Sequence, residues 1–206
     1  MNIPNMLLIG SIVRNCGKTS FCLKFMDKWK KDFEFIGLKI TTVRDGEERC
    51  HGSGACDACT SFSGCYEVTE ETSTQLNKDT SVLLCAGAKR VLWIRTHEQH
   101  AQQAFNSIAG ALREDCIILC ESNMLSEFVT PGATVLMERT DASNVKSSAE
   151  SFRKKADFAC DISKPESVEK ALENISVTRE NGRVAVSFVD MEGQLIKPSA
   201  KAGKST

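Results

Sequence analysis

A short apolar run leads into a glycine, a lysine and a threonine, and this junction constrains the fold more than any other stretch of the chain. The run MLLIGSI (6–12) predicts a strand, and Phe21, Phe25 and Trp29 recur at helical spacing after Gly17. A strand, a tight turn and a helix in this order place the backbone N–H groups of the first helical turn where they can bind phosphate. The sequence therefore predicts a phosphate-binding loop.

Two side chains of this loop have predicted roles at the triphosphate of a nucleotide. Lys18 reaches the β and γ phosphates, and the Thr19 hydroxyl ligates Mg²⁺. The usual pattern has a glycine where this chain has Ile12, and the preceding glycine is Gly10, so the loop is a variant that is expected to be longer than usual. The other residues expected to bind the nucleotide within this loop are Gly10, Arg14, Asn15, Cys16, Gly17 and Ser20.

Apolar runs and amphipathic segments alternate through the rest of the chain. Further strands are predicted at 33–40, 90–96, 116–122 and 133–139, and helices at 74–86, 98–112, 146–155 and 165–174. Strands that are apolar on both faces and separated by helices predict an α/β fold with a mostly parallel central sheet flanked by helices. Two alternating runs around Asn181-Gly182 predict a C-terminal hairpin, because this pair favours tight turns.

These patterns predict one nucleotide-binding α/β domain with two appended segments. The domain is expected over residues 1–175, with a cysteine-rich loop insertion at 43–66 after the second strand. The hairpin is expected at 176–196, followed by a flexible polar tail at 197–206.

Charge and hydropathy exclude several classes of protein. The chain has 206 residues and a formal net charge of −1, so no basic face favours a nucleic acid partner. No apolar run approaches the ~18 residues of a membrane span, and the N-terminus lacks the pattern of a secretory signal. We therefore expect a cytoplasmic protein in a reducing compartment, where cysteines are ligands or free thiols more often than disulfides.

A magnesium site beside the loop needs an acidic residue at the end of a neighbouring strand. The run CIILCES is apolar up to Glu121, which predicts that this carboxylate lies at the carboxyl edge of the sheet, where ligands bind in open α/β folds. We assign Glu121 to Mg²⁺ and, with Lys18, to catalysis; the alternative is a solvated residue just past the strand. Asp45 and Asp79 are further acidic candidates, and Lys39 ends the second strand either facing the phosphates or solvated.

The stretch RCHGSGACDACTSFSGC holds four of the ten cysteines. Cys50, Cys56, Cys59 and Cys65 include a Cys-x-x-Cys pair, and four thiolates complete a zinc site or ligate an iron–sulfur cluster. A metal would also order a segment that has too few apolar residues for a core of its own. We favour a metal centre, with an iron–sulfur cluster slightly preferred to zinc, over free thiols, disulfides or a redox pair.

Several of these motifs together resemble one known family. The chain reads NCGKTS, then GLKITTVRDG (37–46), KDTSVLLCAGAKRVLWIRT (78–96) and CIILCESN (116–123), an order that resembles the P-loop family of molybdopterin-guanine dinucleotide biosynthesis protein B. The match covers residues 5–140. The family's His- and Asp-rich loop after the second strand is cysteine-rich here, and the glycine after the strand-ending Glu is Ser122. We interpret the chain as a divergent relative.

The resemblance implies a homodimeric NTPase of the branch that contains metallochaperone and maturation proteins. It assigns Lys18 and Thr19 to phosphate and Mg²⁺, Glu121 to Mg²⁺, and Lys39 and Asp79 to matching family positions. The nucleotide is ATP or GTP, because the segment ERTDAS does not supply the Asn-Lys-x-Asp guanine motif. The implied function is slow hydrolysis that assists metal-cofactor assembly, with a cofactor-biosynthesis enzyme or an apo-metalloenzyme as partner.

Other functions remain open from the sequence. A nucleotide-gated adaptor would bind nucleotide tightly with negligible hydrolysis. A small-molecule kinase would need an arginine-rich lid, which the sequence does not offer. If the chain is an NTPase, slow turnover is expected because the sequence has no obvious arginine finger. Arg14, inside the loop, is the one in-chain candidate.

Overall fold

The computed structural model describes residues 1–43, 64–76, 78–141, 145–190 and 194–195. Its strands are β1 (Asn2–Ser11), β2 (Phe35–Val43), β3 (Tyr66–Glu70), β4 (Arg90–His97), β5 (Ile117–Glu121), β6 (Thr130–Glu138), β7 (Phe158–Asp161), β8 (Ile175–Glu180) and β9 (Arg183–Phe188). Its α-helices are α1 (Lys18–Trp29), α2 (Asp79–Cys85), α3 (Ala101–Ala109), α4 (Ser147–Arg153) and α5 (Pro165–Glu173). Two 3₁₀ turns lie at Glu98–His100 and Met124–Glu127.

Seven of the described strands form one sheet in the order β3-β4-β2-β5-β1-β6-β7. β3 runs antiparallel to β4, and the other neighbouring pairs are parallel. α1 contacts both α2 and α5, whereas α3 and α4 both contact the 3₁₀ turn at Met124–Glu127, so helices flank the sheet. The prediction of an α/β fold with a mostly parallel central sheet is confirmed.

The centre of the sheet is apolar because its strands are covered on both faces. All of β5 is buried, and β1 is buried from Asn5 to Ser11. Phe25 of α1 packs edge-on against Phe35 at the start of β2, with 6.3 Å between the ring centroids. α1 also contacts β1 and β5, and it begins after residues 12–17, which follow the end of β1.

Two edge strands and two helix boundaries differ from the sequence prediction. β3 and β7 were not predicted, because both are short and only partly buried and therefore carry little apolar periodicity. α2 begins at Asp79 rather than near residue 74, and the Ser81 hydroxyl accepts a hydrogen bond from the Lys78 N–H at this start. The helix predicted over 98–112 consists of a 3₁₀ turn followed by the shorter α3.

β8 and β9 form the predicted C-terminal hairpin, although the paired strands end at Phe188 rather than at residue 196. Asn181 and Gly182 have φ angles of 50° and 78°, as a two-residue hairpin turn requires. β9 contacts β1 and β6, and an added Cβ at Gly132, near the start of β6, would lie 2.2 Å from the Val186 carbonyl oxygen. The hairpin therefore lies at the amino ends of these strands, opposite the edge that carries Glu121.

The helices within the described ranges are short. α1 has 12 residues, and in these ranges no helix is long and apolar enough to cross a membrane.

Candidate functional site

The chain turns sharply between β1 and α1, at residues 12–17. Asn15 and Gly17 both have left-handed backbone, with φ angles of 54° and 73°. An added Cβ at Gly17 would lie 2.7 Å from the Ile162 side chain, so this position favours glycine both for its backbone angle and for space. Gly17 supplies no side-chain cap to the 12-residue helix α1, so the first N–H groups of α1 are available to an anion.

Two lysines meet at Ser11, the last residue of β1. Lys18 Nζ donates to Ser11 Oγ at 3.1 Å, and Lys146 Nζ donates to the same oxygen at 3.3 Å. Lys146 directly precedes α4, and its backbone N–H donates to the Ile12 carbonyl oxygen at 2.9 Å. Ser11 is fully buried, so both ammonium groups lie at the base of the 12–17 turn. Positive charge is therefore concentrated where the sequence predicts phosphate binding.

Glu121 ends β5 with its carboxylate beside the start of α1. Thr19 Oγ1 donates to Glu121 Oε1 at 2.9 Å. β1 and β5 are paired with Ile9 opposite Glu121, so the carboxylate lies next to the end of the strand that leads to α1. Only 3% of Glu121 is exposed. Burial raises the pKa of its carboxyl group, and this effect is larger than that of the Lys18 charge, which lowers the pKa. Glu121 thus lies at the carboxyl edge, as its apolar run predicted, and is not the solvated residue of the alternative.

The oxygen atoms of Thr19 and Glu121 fit a magnesium ion. Mg²⁺ takes oxygen ligands, keeps several waters and is usually held by one or two carboxylates together with substrate phosphates. The hydroxyl and the buried carboxylate lie within hydrogen-bond distance of each other. A divalent cation would also offset the cost of burying the Glu121 charge.

Lys39 and Asp79 form an ion pair at the same edge of the sheet. Lys39 lies in β2 opposite Glu121 of β5, and Asp79 begins α2. Burial raises the pKa of Asp79, but the hydrogen bond and charge of Lys39, with a smaller contribution from the Thr19 hydroxyl, bring it below its ordinary value. The two residues singled out by family resemblance are therefore brought together beside Thr19.

Asn123 joins the ends of β1 and β5 to α4, and the sequence analysis assigned it no role. Its Oδ1 accepts a hydrogen bond from the Ser11 N–H at 2.8 Å. Its Nδ2 donates to the Ser11 carbonyl oxygen at 3.0 Å and to Ser148 Oγ at 3.2 Å. The amide therefore fixes the residue whose hydroxyl accepts from both lysines. Its position two residues after a strand-ending Glu was visible in the sequence, but asparagine is common in turns of many kinds.

The remaining residues predicted at the phosphates occupy two different environments. Gly10 lies within β1 against the Phe152 ring of α4, where an added Cβ would be 2.7 Å from the ring. The absence of a side chain at Gly10 thus allows α4 to approach β1. The exposed residues of this set are Arg14, Asn15 and Ser20.

Two buried thiols lie close to the site, Cys16 in the turn and Cys22 on α1. The Cys16 thiol donates to the Met137 carbonyl oxygen at 3.3 Å, and burial raises its pKa. Cys22 Sγ lies 3.9 Å from Glu121 Oε1, and burial together with the Glu121 charge raises its pKa well above the ordinary value. Both groups are therefore protonated, weakly reactive thiols that pack as small apolar side chains.

Of the four cysteines predicted to hold a metal, Cys65 is described and is exposed, and Cys50, Cys56 and Cys59 lie outside the described residues. Within the described parts of the chain, no group of three or more His, Cys, Asp or Glu side chains is placed to hold a metal ion. Of the other cysteines in the described ranges, Cys85 is exposed, whereas the buried ones besides Cys16 are Cys22, Cys116, Cys120 and Cys160.

An open groove of about 830 Å³ lies at the opposite edge of the sheet, where the chain enters β2, β4 and β5. Four of the eight charged side chains that line it pair with one another. Arg113 lies 2.7 Å from Asp115 and 3.0 Å from Glu34, and Lys89 lies 3.5 Å from Glu34. The carboxyl edge is the stronger candidate for a functional site, because it brings two lysines and a buried carboxylate together.

Comparison with known proteins adds no relative: no family model, no curated protein and no solved structure matches this chain.

Proposed function

We propose that the chain is a P-loop protein that binds the triphosphate of ATP or GTP with Mg²⁺ at the carboxyl edge of its sheet and hydrolyses it slowly. The observation that carries the proposal is the 2.9 Å contact between Thr19 Oγ1 and Glu121 Oε1, next to the Lys18 ammonium. A hydroxyl and a carboxylate suited to Mg²⁺, a lysine suited to phosphate and the start of a helix are the parts that phosphoryl-transfer sites of this class combine.

Each side chain has a separate task in the proposed site. Lys18 and the first N–H groups of α1 bind and orient the phosphate chain. Thr19 and Glu121 hold Mg²⁺, which when bound neutralises charge on the phosphoryl oxygens. Asn123 holds the backbone of Ser11, whose hydroxyl accepts from Lys18.

The ion pair at Asp79 supports slow turnover. Its carboxylate is engaged by Lys39, and its pKa lies below the ordinary value, so it is a weak general base for an attacking water. The same observation favours a second candidate function, a nucleotide-gated adaptor that binds nucleotide with negligible hydrolysis.

We further propose that the nucleotide serves metal-cofactor assembly or metalloenzyme maturation, in line with the resemblance to the molybdopterin-guanine dinucleotide biosynthesis protein B family. β2 carries Lys39 at the proposed nucleotide edge, and the chain continues from its last residue, Val43, into the cysteine-rich segment. In this proposal the four cysteines hold an iron–sulfur cluster or zinc, and nucleotide binding and hydrolysis act on that centre within a homodimer.

The test compares Lys18→Met with Lys24→Met, which alters an exposed lysine on the same helix. Calorimetry with Mg·ATP and Mg·GTP should show binding by the wild type and the Lys24 variant, and binding about 10- to 100-fold weaker by the Lys18 variant, as expected for a lost charge-assisted hydrogen bond. Wild-type protein that binds neither nucleotide would overturn the proposal. Phosphate release by the wild type then separates the two candidates, since an NTPase turns over and an adaptor does not.

A further inference from the structure

We propose that Lys146 is a second phosphate-binding lysine of the nucleotide site, acting on the same phosphate chain as Lys18. This inference rests on the proposed function. It starts from the convergence of the two ammonium groups on Ser11 Oγ, at 3.1 Å for Lys18 and 3.3 Å for Lys146. The residue comes from the connection between β6 and α4, far along the chain from the Gly-Lys-Thr junction.

Lys146 is held in place from two sides. Its backbone N–H donates to the Ile12 carbonyl oxygen, the first residue after β1. Its ammonium contacts Ser11, whose backbone is in turn fixed by the Asn123 amide. A lysine ammonium has three donors, so the contact with Ser11 leaves donors for phosphate oxygens. Both ends of the residue are therefore anchored to the turn that is proposed to bind phosphate.

The charges around Lys146 favour an anion at this point. Burial is the largest effect that lowers the pKa of Lys146, and the charges of Lys18 on α1 and Arg14 in the turn act in the same direction, for a net pKa of about 8. Cys16 in the turn and Glu121 on β5 act in the opposite direction. Two ammonium groups that share one hydroxyl repel each other, and a phosphate group bound to both replaces repulsion with attraction.

Binding by Lys146 has a consequence for protons. A phosphate beside the ammonium raises the pKa of Lys146 above its value of about 8 in the free protein. Nucleotide binding near pH 8 therefore takes up about half a proton, because a group is half protonated at its pKa. The affinity for the nucleotide falls as the pH rises above about 8, by up to about tenfold per pH unit.

The binding test uses Lys146→Met, Lys146→Arg and Lys154→Met. Lys154 is an exposed lysine directly after α4, the helix that Lys146 directly precedes. Calorimetry with Mg·ATP and Mg·GTP should show about 10- to 100-fold weaker binding for Lys146→Met. Lys146→Arg keeps a positive charge and should recover most of the affinity, and Lys154→Met should match the wild type. Thermal unfolding of each variant confirms that the fold is kept.

The proton test separates a phosphate contact from a structural role. Binding heats near pH 8, measured in buffers of different ionisation enthalpy, should show proton uptake by the wild type and none at this position in Lys146→Arg, because arginine stays charged. Equal uptake in the two proteins, or unchanged affinity in Lys146→Met, would overturn the role of Lys146. If Lys18→Met still weakens binding in either case, the proposed function stands; if the wild type binds no nucleotide, both fall together.

Discussion

A methyl group added at either of two glycines of the site would lie equally close to a neighbouring side chain, but the two glycines differ in backbone conformation. An added Cβ would lie 2.7 Å from the Phe152 ring at Gly10 and 2.7 Å from the Ile162 side chain at Gly17. Gly10 lies within a strand, whereas Gly17 has a φ of 73°. Replacing either by alanine adds one methyl group, so the two variants separate the cost of crowding from the cost of a left-handed backbone.

The expected free energies differ in origin. At Gly10 three ring atoms of the fully buried Phe152 lie within 2.8 Å of the new methyl group. The ring is rigid, so α4 must shift, and such overpacking costs about 1–3 kcal/mol. At Gly17 the new methyl group lies against Cγ1 and Cδ1 of Ile162, an aliphatic side chain that is only partly buried and so has more room to shift than the fully buried Phe152 ring. There the larger part of the cost is the left-handed backbone, about 1–2 kcal/mol.

Double-mutant cycles test whether crowding or backbone conformation causes each loss. The free energy of unfolding is measured in urea, and its dependence on urea concentration should be the same in all variants. Phe152→Leu should recover most of the loss caused by Gly10→Ala, giving a coupling of about 1–3 kcal/mol. Ile162→Ala should recover little of the loss caused by Gly17→Ala. The control is Gly110→Ala at the end of α3, where φ is −68° and an added Cβ meets nothing within 4 Å. A coupling at Gly17 as large as that at Gly10 would refute the assignment.

Two further predictions concern the proposed metals. In EDTA, Glu121→Gln should raise the urea midpoint at neutral pH, and with Mg²⁺ restored it should weaken nucleotide binding. Because burial raises the pKa of Glu121, its carboxyl group adds stability at low pH that the wild type loses as the pH rises. The stability gained by Glu121→Gln should therefore shrink as the pH is lowered towards the ordinary pKa of 4.5, and a gain that is independent of pH would contradict this. Anaerobically purified wild type should contain iron and sulfide, or zinc, and Cys56→Ser with Cys59→Ser should lose it; equal metal content in both proteins would rule out the cysteine centre.

The sequence was informative where burial is continuous along the chain. Glu121 follows an unbroken apolar run, so its place at the end of β5 was predictable from β5 alone. The hairpin turn was also predictable from two adjacent residues, because Asn181 and Gly182 both tolerate positive φ. β7 was not predicted, because only Cys160 of its four residues is buried. It is a strand because it pairs with β6, and not because of its composition.

Contacts between distant residues were not predictable from local pattern. Lys146 lies 135 residues from Ser11, and in the sequence it is one lysine among the charged residues that precede a helix. Asn123 lies 112 residues from Ser11 and reads as an ordinary turn residue. Their positions depend on β5 and β6 being the two neighbours of β1, which follows from the order of strands in the sheet.

The proposed ligands would remove two electrostatic costs that this edge carries without them. Burial raises the pKa of Glu121 and lowers that of Lys146, so in each case the surroundings disfavour the charged form. Each ion compensates one group directly, since Mg²⁺ would bind the Glu121 carboxylate and phosphate would bind the Lys146 ammonium. Because the two ions also bind each other, Mg·nucleotide should stabilise the fold more than the sum of Mg²⁺ and nucleotide added separately. Thermal unfolding with each ligand alone and with both measures this difference, and strictly additive shifts would contradict it.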